Sequence, residues 1–189
     1  GKNKGVSGIM PDDIKYRNIV LTGMPGAGKS TMGVLLAKYM GYEFMDADLQ
    51  IQKSENRLLR EIISDCGIDG FIKIEEKVNA SINVKKTVIA TGGSVIYGAK
   101  AMEHYKESGV IVYLKLSYNT IKRRLGNLKQ RGVVLRQGQT LRDIYDDRTP
   151  FYEKYADIIV ECDGYGISQL AMYLETKLRD YMCLRDTDN

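Results

Sequence analysis

The chain has 189 residues, 43% of them hydrophobic and 28% charged, with 3 prolines and a formal net charge of +4. This composition excludes a disordered or collagen-like chain and suits one globular domain with a core of its own. No apolar run approaches the roughly 20 residues a membrane span needs, and the start lacks the apolar centre of a secretory signal, so a cytoplasmic protein without a membrane partner is expected.

The thiols agree with that compartment. Cys66, Cys162 and Cys183 are scattered, odd in number and without metal-ligand spacing, as reduced structural cysteines are. Lysines and arginines are spread through the chain rather than blocked into a tail. Such a mild positive balance suits small anionic molecules and gives no basic stripe with interleaved aromatics for nucleic acid.

In chain order, residues 1–16 read as a flexible leader, 17–184 as a single domain and 185–189 as a flexible tail. The run Asn18 to Thr22 is short, apolar and β-branched, and a glycine-rich turn ends it, the pattern of a buried parallel strand. Lys29 to Met40 carries apolar residues at helical spacing and meets Gly41 as a stop. Further strands are expected at Glu43–Met45, Thr87–Thr91, Val110–Leu114 and Asp157–Val160. Helical patterns lie between and after them at Leu58–Asp65, Phe71–Val84, Lys100–Glu107, Tyr118–Leu125, Thr140–Tyr155 and Ser168–Cys183. This alternation predicts a three-layer α/β fold, a parallel sheet with helices on both faces, in which ligands collect at the carboxyl ends of the strands.

Gly23 to Ser30 reads G-M-P-G-A-G-K-S and meets the phosphate-loop pattern G-x-x-x-x-G-K-[ST] at every fixed position. Its glycines let successive amides turn inward around phosphate oxygens, and the next helix adds its positive end. The stretch of Gly26, Ala27, Gly28, Lys29, Ser30 and Thr31 is expected to hold ATP. Within it Lys29 reaches the terminal phosphates and Ser30 coordinates Mg²⁺. A chance glycine turn is the plain alternative, and the strand before and helix after the motif argue against it.

A phosphate loop alone means nucleoside triphosphate, so the acceptor must be sought elsewhere. Asp46-Ala47-Asp48 follows the second strand. In an extended turn both carboxylates can face one cleft, Asp46 toward the metal and Asp48 toward an acceptor hydroxyl as orienting group or general base. The competing reading is a solvated turn with a helix cap, since aspartate is favoured there. Thr91-Gly92-Gly93-Ser94 is a second glycine turn at a strand end, weak evidence by itself. The segment Arg123 to Arg148 contains six arginines and the polar stretch Gly126 to Gly138, as a basic loop over a phosphate site would; most are expected to be solvated or paired. His104 is expected at the surface, and the 13 tyrosines read as packing.

In this order and spacing, G-M-P-G-A-G-K-S, D-A-D, T-G-G-S, R-G-V-V-L and R-T-P-F-Y-E-K-Y-A-D resemble the shikimate kinase family, from about Asn18 to Leu178. The resemblance implies an adenylate-kinase-like fold with a five-stranded parallel sheet, a mobile lid at about 126–139, and MgATP-dependent phosphorylation of the shikimate 3-hydroxyl; a monomer is expected. It implies that Asp48 contacts the acceptor hydroxyls with Asp46 near magnesium, and that Gly92 and Gly93 form the substrate-side turn, with Ser94 in place of a usual third glycine. It further implies that Arg131 is a catalytic lid arginine, followed by Gly132 where proline is usual. Arg124 matches the arginine packing on adenine, and Arg148 one that binds the acceptor carboxylate.

One substrate position departs from the family. The arginine expected to grip the acceptor carboxylate is Ile72, within Phe71-Ile72-Lys73-Ile74-Glu75-Glu76, and an apolar branch does not replace a guanidinium fork. Lys73 is turned by about 100° on a helix and is expected to point elsewhere. The departure leaves open a related kinase with a different hydroxylated acceptor, or a nucleotide-binding regulator without turnover. The regulator is disfavoured because it needs no acceptor-side aspartate.

Overall fold

The structure, a computed structural model, describes residues 17–126, 133 and 135–182. The expected leader and tail, Cys183, the lid arginine Arg131 and half of the expected lid lie outside the described residues.

Five strands form one parallel sheet in the order β2-β3-β1-β4-β5: β1 (Asn18–Thr22), β2 (Glu43–Asp46), β3 (Thr87–Ala90), β4 (Gly109–Lys115) and β5 (Ile158–Glu161). Strands β1 and β3 are buried at every position and β4 at all but its last, which is why their sequences are continuous apolar runs. β5 alternates buried and exposed residues, as an edge strand with one wet face does. Helices α1 (Lys29–Met40), α2 (Ala47–Glu55), α3 (Leu59–Ala80), α4 (Ala99–Ser108), α5 (Tyr118–Leu125), α6 (Leu141–Tyr155) and α7 (Ile167–Tyr181) connect and cover the strands. The five-stranded parallel α/β architecture is the expected one.

Most of the core is one cluster built on Ile19, Val20 and Leu21 of β1 and Val110, Ile111 and Val112 of β4. A smaller one, Ile51, Ile62, Phe71 and Val78, joins α2 to α3. Tyr105, Tyr113 and Tyr152 are fully buried, so these tyrosines pack as expected, while His104 departs from the expected surface position: it is half-buried and its Nε2 lies 2.5 Å from the Ile82 carbonyl oxygen.

One local expectation is corrected. Residues 47–55 are helical, not an extended turn, because Asp46 caps them: its Oδ1 accepts from the amides of Asp48 (2.9 Å) and Leu49 (3.4 Å), the helix-cap arrangement. The two separate helices expected around residues 58–65 and 71–84 are the two halves of α3, which part at the non-helical Gly67 (φ 72°, ψ 178°), the second half ending at Ala80. Glycine carries that left-handed backbone without a Cβ clash, so the chain bends and then resumes its helix. In α6, Pro150 has no N–H for the carbonyl four residues back. In the same turn the Thr149 hydroxyl donates to the Tyr145 carbonyl (2.6 Å).

The chain leaves β1 for β2 on one side of it and leaves β3 for β4 on the other. This reversal opens a crevice at the carboxyl end of β1, where the phosphate loop, Asp48 and the Gly92-Gly93 turn converge.

Candidate active site

The phosphate loop is built from backbone that only glycine adopts freely. Gly23, Gly26 and Gly28 have φ of 148°, 80° and 90°. A Cβ at Gly23 would also lie 3.0 Å from the Leu114 carbonyl oxygen, so the loop hugs the neighbouring strand. Gly28 is the left-handed cap from which α1 starts, and the amide-bearing end of that helix points at the crevice. Lys29 is buried; its Nζ donates to the carbonyls of Gly23 (2.7 Å) and Met24 (2.9 Å). Burial depresses its ammonium to about 8, against the opposing pull of Asp48. Ser30 and Thr31 are exposed at the start of α1.

A cleft of about 1120 Å³ runs from this loop to α3 and α6. That exceeds the roughly 300–1,000 Å³ of one small-ligand site, and leaves room for a nucleotide and a second molecule together. Gly26, Gly28, Lys29, Ser30, Thr31, Asp46, Asp48, Ile72, Gly92, Gly93 and Arg148 all line it. Ala27 is buried beneath the loop. Arg124 stands at the loop's edge, its Nη1 donating to the Gly26 carbonyl at 3.2 Å. Arg131 lies outside the described residues. Lys73 is exposed and does not line the cleft.

At the far end the carboxyl of Asp48 is pushed above the usual aspartate range, by burial first and by Asp46 second, with Lys29 pulling the other way. Arg148 packs its guanidinium 5.8 Å from the Tyr97 ring centroid. Its Nε is buried and has no hydrogen-bond partner among the described residues, an uncommon state for a buried donor. The Gly92-Gly93 turn touches both groups: a Cβ at Gly92 would lie 2.8 Å from Asp48 Oδ1 and 2.8 Å from Glu75 Oε2, and one at Gly93 would lie 2.8 Å from Arg148 Nη1. Gly92→Ala is therefore expected to displace Asp48 and lower kcat/KM for the acceptor by about a hundredfold, the cost of an ångström-scale misplacement. ATP affinity should change little; measurement of both constants checks the split, and an unchanged kcat/KM would refute it.

Sequence reasoning did not single out Glu75, Tyr97 and Arg136, which also line the cleft. Only Glu75 carried a usable signal: on a helix it falls one turn after Ile72 and so shares its face. Arg136 pairs with Asp69 at 2.5 Å, a contact between the region before α6 and the second half of α3 that no local pattern marks.

A sequence model described as Shikimate kinase matches residues 25–179. The chain belongs to the shikimate kinase family. The shikimate kinase of Chlorobium chlorochromatii is 35% identical over 175 residues, covering 87% of this chain and 92% of that protein. That of Thermodesulfovibrio yellowstonii is 36% identical over 158 residues, covering 82% and 91%. Among solved structures, shikimate kinase from Acinetobacter baumannii in complex with shikimate superposes with a TM-score of 0.78 at 29% identity, covering 94% of this chain and all of that one. A deoxyadenosine kinase from M. mycoides, at 14% identity and a TM-score of 0.55, shares the fold alone. As a member of the shikimate kinase family, this chain is a phosphotransferase that acts on an alcohol group with ATP and Mg²⁺. The donor set fits that pair: a glycine cradle with a buried ammonium for polyphosphate, and a hydroxyl with carboxylates for a hard cation.

Proposed function

We propose that this protein phosphorylates the 3-hydroxyl of shikimate, and that it does so as a cytoplasmic monomer whose single kinase domain spans 17–184 with a lid at about 126–139. The observation that carries the acceptor is Arg148. A half-buried guanidinium with a buried, unpartnered Nε, lining the cleft beside Gly93, is suited to a carboxylate, and shikimate presents a carboxylate together with ring hydroxyls. MgATP supplies the phosphoryl group and the cation that shields its charge.

The chain's own residues do the rest. Amides of the phosphate loop and Lys29 hold the polyphosphate, Ser30 and Asp46 take the metal side, and Arg124 takes the adenine side. Asp48 orients the acceptor hydroxyl and accepts its proton, while Arg148 fixes the carboxylate and Gly92 and Gly93 allow the ring close to the backbone. Arg131 is assigned the lid position over the phosphates. All these groups except Arg131 lie along or beside one cleft of one chain, which supports a complete site in the monomer.

Turnover of MgATP with shikimate, followed by ADP release beside a panel of other hydroxy acids and polyols, tests the assignment. Shikimate is expected to be the preferred acceptor; ADP release no faster than without it would exclude it. Arg148→Ala should raise the KM for shikimate about tenfold to more than a hundredfold, because a charge-assisted hydrogen bond is worth about 1.5–3 kcal/mol. The KM for ATP should stay within a few-fold, and a shikimate KM that does not move would remove Arg148 from the site. Ile72 favours a second reading, a related kinase whose acceptor sets an apolar face against that side chain, and the same panel would reveal it.

A further inference from the structure

The acceptor end of the cleft holds a second acid that no step above uses. Glu75 sits on α3 one turn beyond Ile72 and is 1% exposed. Its Oε1 accepts a 2.6 Å hydrogen bond from the Ser94 hydroxyl. Among the described residues its Oε2 has no hydrogen-bond partner, and it lies 2.8 Å from the Cβ position of Gly92, as does Asp48 Oδ1. Twice that distance, 5.6 Å, bounds the separation of the two acids.

Few charges answer this acid. Lys29 faces it from α1, Asp48 from α2, Arg148 from α6 and the neutral Tyr105 from α4. No ion pair joins Glu75 to any cation among the described residues. Ile72, on the same helix face, contributes no charge. Burial, with Asp48 adding to it, pushes the Glu75 carboxyl up to about 7, against the Ser94 hydrogen bond and the two cations. Once ionised, Glu75 and Asp48 share this end of the cleft with Arg148 and Lys29, and an acidic acceptor brings a third negative charge to those two cations. The neutral form leaves Arg148 to the acceptor.

Resting on the acceptor reading above, we propose that Glu75 determines acceptor specificity: held by the Ser94 hydroxyl, its carboxyl takes up a proton from solvent when an acidic acceptor binds at Arg148. Ser94 is its positioning residue. The sign follows from linkage. Below about pH 7 the proton is already in place, and above it binding must bring one in, so affinity for an anionic acceptor falls by up to about tenfold per pH unit. An uncharged acceptor makes no such demand.

The test is calorimetric titration of the full chain with shikimate and with its uncharged methyl ester, at about pH 6 and about pH 8.5. The Kd for shikimate is expected to rise at least about tenfold across that interval, with net proton uptake seen in buffers of different ionisation enthalpy, while the Kd for the ester stays level. Glu75→Gln should abolish the uptake and flatten the curve. Ser94→Ala should move the inflection to higher pH, because the lost hydrogen bond favoured the ionised acid, whereas a merely structural serine would leave the inflection in place. A level Kd for shikimate, an equal rise for the ester, or an undiminished rise in Glu75→Gln each overturns the proposal. Failure of shikimate to bind at about pH 6 removes this proposal and the acceptor reading together. Turnover of shikimate with a pH-independent Kd removes this one alone.

Discussion

Asp48→Asn is expected to lower kcat by about 10²- to 10⁴-fold, the range for removing a positioned general base, while leaving ATP affinity within a few-fold. The side chain is half-buried in the cleft, in the first turn of α2 and two residues after the Asp46 cap. It sits near Lys29 and against Gly92. Asparagine keeps the shape and one hydrogen-bonding oxygen but cannot accept the proton that the acceptor hydroxyl loses. The parent should show an acidic limb in kcat above the ordinary aspartate value of about 3.9, because burial and Asp46 raise this carboxyl. Steady-state kcat with saturating ATP and acceptor, with calorimetry for ATP, makes the check. Equal turnover in variant and parent would strip Asp48 of its role.

Lys29→Met should damage both halves of the reaction. The ammonium is a charge-assisted donor worth about 1.5–3 kcal/mol to bound polyphosphate, or roughly ten- to a hundredfold or more in ATP affinity. Stabilisation of developing charge adds a further loss of about 10²–10³ in kcat. Stability should respond differently. In the nucleotide-free fold burial lowers this lysine from 10.5 to about 8, so keeping it charged near neutral pH costs roughly 3 kcal/mol at about 1.4 kcal/mol per unit. Against that, methionine leaves the Gly23 and Met24 carbonyls without their donor, at about 1–3 kcal/mol each. The opposing terms are of similar size, so Tm should shift by only a few degrees while activity collapses. Because the folded pKa lies below the unfolded one, the unfolded chain binds more protons between about 8 and 10.5. In the parent this lysine therefore adds stability as pH rises through that window, and the variant should lack the contribution. Unimpaired ATP affinity in a folded Lys29→Met would contradict the assignment.

The outcomes of these two substitutions trace to different distances along the chain. β1, the phosphate loop and α1 are contiguous, from Asn18 to Met40. An apolar run, three glycines and a helical spacing specify them, and the structure follows that reading to the residue. The D-A-D segment misled because α2 buries only Ala47 and Ile51, too few apolar positions to show a helical period. The cap on Asp46, not a hydrophobic stripe, sets where that helix starts. In α3 the helix breaks at Gly67, and packing of Ile62, Phe71 and Val78 against Ile51 holds the helical halves on either side of it against α2.

What the sequence alone determined is the nucleotide end of the site. Its chemistry comes from backbone conformation and one lysine within eight consecutive residues, and local sterics decide both. What only the tertiary structure decided is the acceptor end. Asp48, Glu75, Ser94 and Arg148 come from α2, α3, the turn after β3, and α6, and they meet because the parallel sheet brings its strand ends to one crevice. The pairing of Ser94 with Glu75, the unpartnered Nε of Arg148 and the raised acids near it depend on burial and on distance through space, quantities that no spacing along the chain encodes.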